Sequence, residues 1–461
     1  MFQEFSDIVL AFLESDLDKT LDINVVGDVM IDEYYEVHVD RISPEFPIPV
    51  YHSTNLDPTS GLVPGGAANV AYQFQNFNVN VELVSLLNKM TSVVFDGYGI
   101  GCNHSKVVDN IFIPTKKRIY ADNIPLTRWD FERPNYGLDN IKNHLLDLEI
   151  PESDFNIFSD YSKGLFSYPW FRKYISTTKN IVDPKHNFID LWEGCTYFKP
   201  NAKEAEKLSE RKNVEDQVEF FLDALKCKGV LITQSGSGVV GKQNNKNLFE
   251  VRPNNLTMPP ESVIGAGDCF VSFATMALAR GFSLEDASKL AFAAGCFYVQ
   301  RKHNRPVSPI ELLLMTGVKQ LKKPELLKRR DFKLIFTNGC FDFGLTAAHI
   351  ELLKFAKAQG DILVVGLNGD ASVSRLKGSG RPIMSYSERA KVLSGLEFVD
   401  FVVEFEEDTP YELIKTIGPD VVVKGGDYKR DEVVGGDLAE VVLFKKMDVS
   451  STTDKLKKMG L

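Results

Sequence analysis

The stretch Val263-Ile264-Gly265-Ala266-Gly267-Asp268 carries the residue types best suited to chemistry in this chain. Its glycines let successive backbone N–H groups turn toward one point. The apolar run behind it, residues 269–279, reads as a helix whose N-terminus adds positive potential there. That combination suits a transferring phosphoryl group, with Asp268 in the first turn able to take a proton from an attacking hydroxyl. Taken alone, the same four residues also read as a glycine turn with Asp268 as a helix cap. A second small-residue turn, Gly65-Gly66-Ala67-Ala68-Asn69, opens a helix and admits a polar ligand closely. Asn201-Ala202-Lys203-Glu204 follows a short strand and sets an amide and a carboxylate one helical turn apart, where magnesium and its waters can be held. That spacing is also a capping box with Asn in place of Ser or Thr.

A second candidate site begins at Phe336-Thr337-Asn338-Gly339-Cys340-Phe341-Asp342, between a strand and a helical stretch at residues 349–359. Nucleotide-phosphate sites of doubly wound sheets begin in this way. His349 supplies an imidazole at the helix start. Lys377, Arg381 and Lys424 lie in glycine-containing phrases that suit phosphate contact, although each is also an ordinary surface cation by type. Ser451, Thr452 and Thr453 precede a short helical pattern at residues 454–458, where a cap and a phosphate contact coincide.

These residues need elements to position them. Short β-rich apolar runs at 23–26, 156–159, 180–182 and 229–233, then at 333–337, 362–367, 398–403 and 421–424, alternate with helical patterns. Such alternation predicts α/β folds with parallel sheets. At 461 residues the chain is too long for one ordinary core. The basic stretch at residues 312–330 marks a linker, so residues 1–318 form a first domain, 319–331 the linker and 332–461 a smaller doubly wound (Rossmann-like) domain. With 53 basic and 63 acidic residues the net charge is -10, which gives no general attraction to nucleic acid or anionic lipid. The six cysteines form no C-x-x-C pair and do not cluster with the seven histidines, so neither a zinc site nor a disulfide framework is expected. The amino terminus is acidic where an export signal is basic, and no apolar run is long enough to span a membrane. A cytoplasmic protein acting on small molecules, without nucleic-acid or membrane partners, is the expectation.

In the order G-G-A-A-N, N-x-x-E, G-A-G-D, the first-half motifs resemble the ribokinase-like (PfkB) family of sugar kinases. Gly27-Asp28-Val29-Met30-Ile31-Asp32, Arg41-Ile42-Ser43-Pro44-Glu45, Ser159-Asp160-Tyr161-Ser162-Lys163-Gly164 and Val182-Asp183-Pro184-Lys185 are similar to its heptose 7-phosphate kinase branch. So are Thr115-Lys116-Lys117-Arg118 and Arg128-Trp129-Asp130-Phe131-Glu132. The resemblance implies Asp268 as catalytic base in an anion hole made by Gly265, Ala266 and Gly267. It implies Asn201, Ala202, Lys203 and Glu204 along ATP and Mg²⁺, with Glu204 reaching the metal through water, and Gly236 and Gly238 beside the nucleotide. Asp32, Gly65, Gly66 and Asn69 would hold the sugar, and Lys116, Arg118 and Arg128 its phosphate. Ser262 and Ile264 stand where the family usually has Asp and Thr.

From Lys333 onward the chain resembles the heptose 1-phosphate adenylyltransferase domain of the cytidylyltransferase-like fold. The likeness rests on the 336–342 segment, Asn368-Gly369-Asp370, Gly380-Arg381-Pro382, Glu406-Glu407-Asp408-Thr409-Pro410, Lys424-Gly425-Gly426-Asp427-Tyr428-Lys429 and Ser450-Ser451-Thr452-Thr453. It implies Asn338, Gly339, Phe341, Asp342, Lys377, Arg381, Lys424, Ser451 and Thr452 around the nucleotide, with His349 catalytic. The fold's signature is H-x-G-H. Here Thr346-Ala347-Ala348-His349 keeps only the second histidine, or, counted from Asp342, Leu345 takes the first place. Losing one charge-stabilising donor costs about 10²–10³-fold in rate. The expectation is a fused enzyme that phosphorylates heptose 7-phosphate at its anomeric hydroxyl and joins heptose 1-phosphate to AMP. In the family a separate phosphatase acts between these steps, and the product, ADP-heptose, feeds lipopolysaccharide-core assembly. Family analogy also implies a homo-oligomer. Two alternatives remain open at this point: a kinase whose second domain only binds, and a non-catalytic sensor of nucleotide sugars.

Overall fold

The computed structural model describes residues 5–53, 61–121, 124–185, 188–252, 263–300, 304–328, 332–342, 344–425, 429 and 432–445. The chain divides into two compact units, residues 15–307 and residues 1–14 with 308–461.

The first unit is built on an eight-stranded sheet. Across it run Phe249–Val251, Val239–Gln243, Gly229–Thr233, Tyr197–Phe198, Asn180–Asp183, Phe155–Ser159, Leu21–Gly27 and Val79–Val84. The six strands from Gly229–Thr233 to Val79–Val84 pair in parallel, and the other two are antiparallel additions at one edge. Their near-continuous burial is what a parallel sheet covered on both faces demands. Helix Ala266–Ala279, buried from Cys269 to Ala277, belongs to this cover. At Asp28 the chain leaves the main sheet for the long strand Val29–Ile42, which pairs with Leu62–Gly66, Thr115–Ala121 and Pro49–Ser53. Thr115–Ala121 pairs in turn with Ile124–Phe131, completing a five-stranded side sheet. The crossing is tight: a Cβ at Gly27 would lie 2.3 Å from the Ser159 carbonyl oxygen.

The second unit has a six-stranded, wholly parallel sheet in the order Gln320–Leu321, Phe401–Phe405, Ile362–Asn368, Leu334–Gly339, Val421–Gly425, Glu440–Phe444. Strand order reverses at Leu334–Gly339, which places a crevice at the carboxyl ends of that strand and Val421–Gly425. Its core joins Ile335, Leu363, Val365, Val402 and Val421 to Leu353 and Ala390 from the covering helices. The lysine-rich stretch expected as a linker is built into this unit up to residue 328. Leu321 pairs into the sheet, and Leu326 and Leu327 are buried, so apolar residues between the lysines set its place.

Candidate functional sites

In the first unit the parallel strands end at Gly27, Ser159, Asp183 and Phe198, so the residues that follow converge along one edge. Helix Ala266–Ala279 starts against that edge. Its cap is Gly265, at φ +75°, without a side-chain capping bond. Asp268 therefore does not cap the helix. Its Oδ2 accepts from Asn69 Nδ2 at 2.6 Å, and its Oδ1 accepts from the Tyr161 hydroxyl. Burial raises the Asp268 carboxyl above the usual carboxylate range, opposed by these two hydrogen bonds. The turn needs glycine at 265: a Cβ there would meet the Tyr298 hydroxyl at 2.5 Å and Asn69 Nδ2 at 2.8 Å. Gly265→Ala is expected to push Asn69 off Asp268 and lower the activity that runs through Asp268 by about 10²-fold, the scale of an ångström-sized misplacement. A Cβ at this φ also strains the turn, so steady-state rates measured well below the variant's own melting temperature check this.

Tyr161 is held from below. The Asp28 carboxylate, fully buried, accepts the backbone N–H groups of Tyr161 and Lys163 at 3.0 Å and Leu165 at 2.9 Å, and the Tyr136 hydroxyl at 2.8 Å. Asn69 follows Gly66, whose φ of +60° starts helix Ala67–Tyr72 and whose Cβ would lie 2.5 Å from the Asp28 carbonyl oxygen.

Beside Asp268 lies a group of paired charges. Asn201 and Glu204 form the expected capping box: Glu204 N–H donates to Asn201 Oδ1 at 3.0 Å, and Asn201 N–H donates to Glu204 Oε2 at 2.9 Å. Glu204 Oε1 receives Lys185 Nζ at 3.0 Å. Lys199, almost wholly buried, pairs with Asp183 at 2.9 Å. Burial and the nearby Glu204 and Asp268 push Asp183 up to about 6 despite Lys199. Burial and Asp28 push Asp160 up to about 7. Ala202 and Lys203 lie in the first turn behind Asn201, with Lys203 exposed. Gly236 and Gly238 lie in the turn between Gly229–Thr233 and Val239–Gln243, and Asn201 bridges to Thr233 in that strand. Gly238, at φ +110°, cannot take a Cβ, whereas Gly236 is open to solvent space.

The side sheet presents Asp32, Lys116, Arg118 and Arg128 on adjacent strands, with Asp32 opposite Lys116 and Arg118 opposite Arg128. Arg118 Nη1 donates to Asp32 Oδ1 at 2.6 Å, and Asn304 Nδ2 donates to Asp32 Oδ2 at 2.9 Å. Both oxygens of Asp32 are thus engaged by protein, and Gly65 packs against them. Burial lowers Lys116 from its ordinary value, opposed by Asp32. Arg128 is forked onto Asp130 at 2.6 and 2.7 Å.

In the second unit the crevice at the strand-order reversal gathers Asn338, Gly339, Phe341, Asp342 and Lys424. Burial brings Lys424 down to about 8. Asp342 receives the Arg381 guanidinium and, at 2.5 Å, the Ile383 N–H, tying the loop after Leu334–Gly339 to the Gly380-Arg381-Pro382 phrase. Helix Ala347–Lys357 begins at Thr346, whose hydroxyl accepts the His349 N–H at 3.4 Å while the Thr346 N–H donates to His349 Nδ1 at 3.2 Å. A backbone N–H can only donate, so Nδ1 is unprotonated and the neutral ring carries its proton on Nε2. The Phe341 ring meets this imidazole edge to face at 5.2 Å. Lys377 ends helix Asp370–Lys377 in an exposed position. Ser451 and Thr452 lie outside the described residues.

Several site residues escape a linear reading. Arg389 is buried, and its Nη1 donates at 2.8 Å to the carbonyls of Cys340 and Asn368 while Nη2 reaches Asp370 at 2.7 Å, so it clamps the two strand ends at the crevice. Its one signal in sequence is an arginine on the apolar side of a helix, beside Ala390 and Leu393. Lys199 likewise stands at the end of a buried strand. Asp28 and Tyr161 carry no signal beyond their phrases, and Asn304 lies in none of the phrases quoted above. All six cysteines are free, and among the described residues no group of three metal-ligating side chains is present and no helix is long and apolar enough to cross a membrane.

The model of the pfkB family carbohydrate kinases matches residues 171–310, and that of the cytidylyltransferase-like family matches residues 336–459. The bifunctional protein HldE of Pectobacterium atrosepticum is 35% identical over 93% of this chain and 95% of its own. That of Nitratiruptor sp. is 35% identical over 95% and 98%. The chain belongs to the HldE family of bifunctional proteins. It is an enzyme that joins a sugar kinase to a nucleotidyltransferase, and the family expected from the sequence phrases holds. Phosphofructokinase-2 of Escherichia coli shares the fold of the first unit, at 17% identity and a TM-score of 0.50 over 65% of this chain and 98% of that one. Within the HldE family, the pfkB match falls in the first unit and the cytidylyltransferase-like match in the second.

Proposed function

We propose that this chain phosphorylates D-glycero-D-manno-heptose 7-phosphate at its anomeric hydroxyl and transfers AMP from ATP to heptose 1-phosphate, giving ADP-heptose for lipopolysaccharide-core assembly. The observation that carries the first reaction is Asp268, fixed between Tyr161 and Asn69 at the start of a glycine-entered helix. The hydroxyl proton passes to Asp268, the hydroxyl oxygen attacks the γ-phosphorus, and ADP leaves. N–H groups at the helix start neutralise the equatorial oxygens, which is most of what phosphoryl transfer asks of a protein. The cations of the side sheet suit the 7-phosphate. In the second unit a phosphate oxygen of the sugar attacks the α-phosphorus of ATP and pyrophosphate leaves, with His349 Nε2–H and Lys424 placed for the developing charge.

The residues of the first unit fit magnesium held through water. Glu204 has one oxygen in its own cap and the other on Lys185, so it offers no open pair of ligands, while Asp183, raised by burial and then by Glu204 and Asp268, would be favoured as a carboxylate by a nearby cation. Magnesium bound there would supply positive charge to the ATP phosphates. Free thiols agree with a cytoplasmic setting. Self-association is proposed through the side sheet, which exposes Ile42, Tyr51, Ile124 and Trp129. Ile42→Asp with Trp129→Asp is expected to convert the oligomer to monomer in sedimentation equilibrium; a native wild-type monomer would exclude it.

A second reading keeps the kinase and leaves the second unit as a binding module. It is favoured by Thr346, which stands in the first histidine's place and whose hydroxyl is spent on capping. ADP formation with heptose 7-phosphate and pyrophosphate release with heptose 1-phosphate, each with ATP and Mg²⁺, decide between them. Both products support the two-reaction reading, and ADP alone supports the second.

A further inference from the structure

We infer that Tyr161 is a positioning residue for the kinase base, its hydroxyl holding Asp268 Oδ1 in the orientation that receives the sugar proton. This rests on the reading of Asp268 as that base. The geometry is specific. Asn69 and Tyr161 approach different oxygens of one carboxylate, so the plane of the group is set from both sides. Two donors leave lone pairs on a fixed side of the carboxylate for the incoming proton. Tyr161 is itself anchored: Asp28 gathers its N–H together with those of Lys163 and Leu165, so the loop after Phe155–Ser159 is pinned to the crossing between the two sheets. A buried carboxylate taking three backbone N–H groups and the Tyr136 hydroxyl makes a rigid support for one phenol.

The arrangement also sets the base's affinity for its proton. A hydrogen bond to the charged form favours that form, and burial opposes it. The groups facing Asp268 are Tyr161 from this loop, Asn69 from helix Ala67–Tyr72, Asp32 from the side sheet, Asp183 and Lys199 from the strand ends, and Tyr298 from helix Leu284–Tyr298. Of these, Tyr161 and Asn69 donate to the carboxylate, Lys199 is the cation, and Asp32 is a carboxylate whose charge adds to burial in raising it. Removing the phenol hydroxyl therefore shifts Asp268 toward its protonated, inactive form.

The test is the pH profile of kcat for the kinase in the full chain. Tyr161→Phe keeps the ring and the Asp28 anchor. It is expected to move the acid limb of the profile up by about one pH unit, with the KM for the sugar changed by less than about threefold. Incorporating 3-fluorotyrosine at 161, a stronger donor of the same shape, is expected to move that limb down, which gives a readout even if the Phe variant fails to fold. An unmoved limb in both proteins overturns the proposal, and so does a rise in KM alone, which would make Tyr161 a sugar contact. Asp268→Asn separates the two levels: if it keeps a near-normal rate, the base assignment fails; if it is inactive while both Tyr161 replacements leave the limb unmoved, only the role of Tyr161 fails.

Discussion

Asp268→Asn is expected to lower kcat for sugar phosphorylation by about 10²–10⁴-fold, the usual contribution of a positioned general base. The fold should survive. The amide has the same shape, its oxygen can accept from Asn69 Nδ2, and its nitrogen can donate to the Tyr161 oxygen, since that hydroxyl serves as donor or acceptor. Replacing a desolvated carboxylate by an amide also removes a group that burial disfavours, so thermal melting should not fall. Pyrophosphate release by the second unit should be unchanged, because that unit has its own core. Parallel ADP and pyrophosphate assays on one preparation check both statements, and a variant within severalfold of the wild-type kinase rate would remove Asp268 from the mechanism.

His349 replacements should have the next largest effect, confined to the other reaction. His349→Asn can still accept the Thr346 N–H, as Nδ1 does, but has nothing at the position of Nε2. It is expected to cut pyrophosphate release by about 10²–10³-fold, the effect of losing one charge-stabilising donor. His349→Gln carries a donor at the outer position and should recover part of that loss. Both variants should retain full kinase activity. Asn with an undiminished rate would show that the imidazole is dispensable and that Lys424 and the backbone carry the developing charge. The comparison also isolates the cap from the chemistry, since Thr346 and His349 form a reciprocal box at the helix start.

The parts of both sites that depend on near neighbours were legible in the chain. Gly265 must be glycine for a left-handed turn into a helix, and Asn201 with Glu204 caps the helix behind a strand; each device spans four residues or fewer. The doubly wound class of the second unit followed from buried strands alternating with helices, while the strand order, which puts the strand–loop–helix at residues 336–349 at its reversal, came only with the fold. Charge dominates the composition of residues 319–331, which gives that stretch the look of a linker, and a two-residue strand hides the sheet pairing of Leu321. Strands that short have no period to read.

Residue type over a few positions sets where glycine turns, helix caps and glycine-rich loops fall, and the phrases those residues spell carry the family. Which side chains share one site is settled by the fold. Tyr161 meets Asp268 across 107 residues and Asn69 meets it across 199, while Arg118 meets Asp32 across 86 and Arg389 reaches the Cys340 carbonyl across 49. Hydrogen bonds and desolvation act through space, so the orientation of Asp268, the rise of Asp183 to about 6 and the engagement of both Asp32 oxygens exist only once the strand ends are brought together.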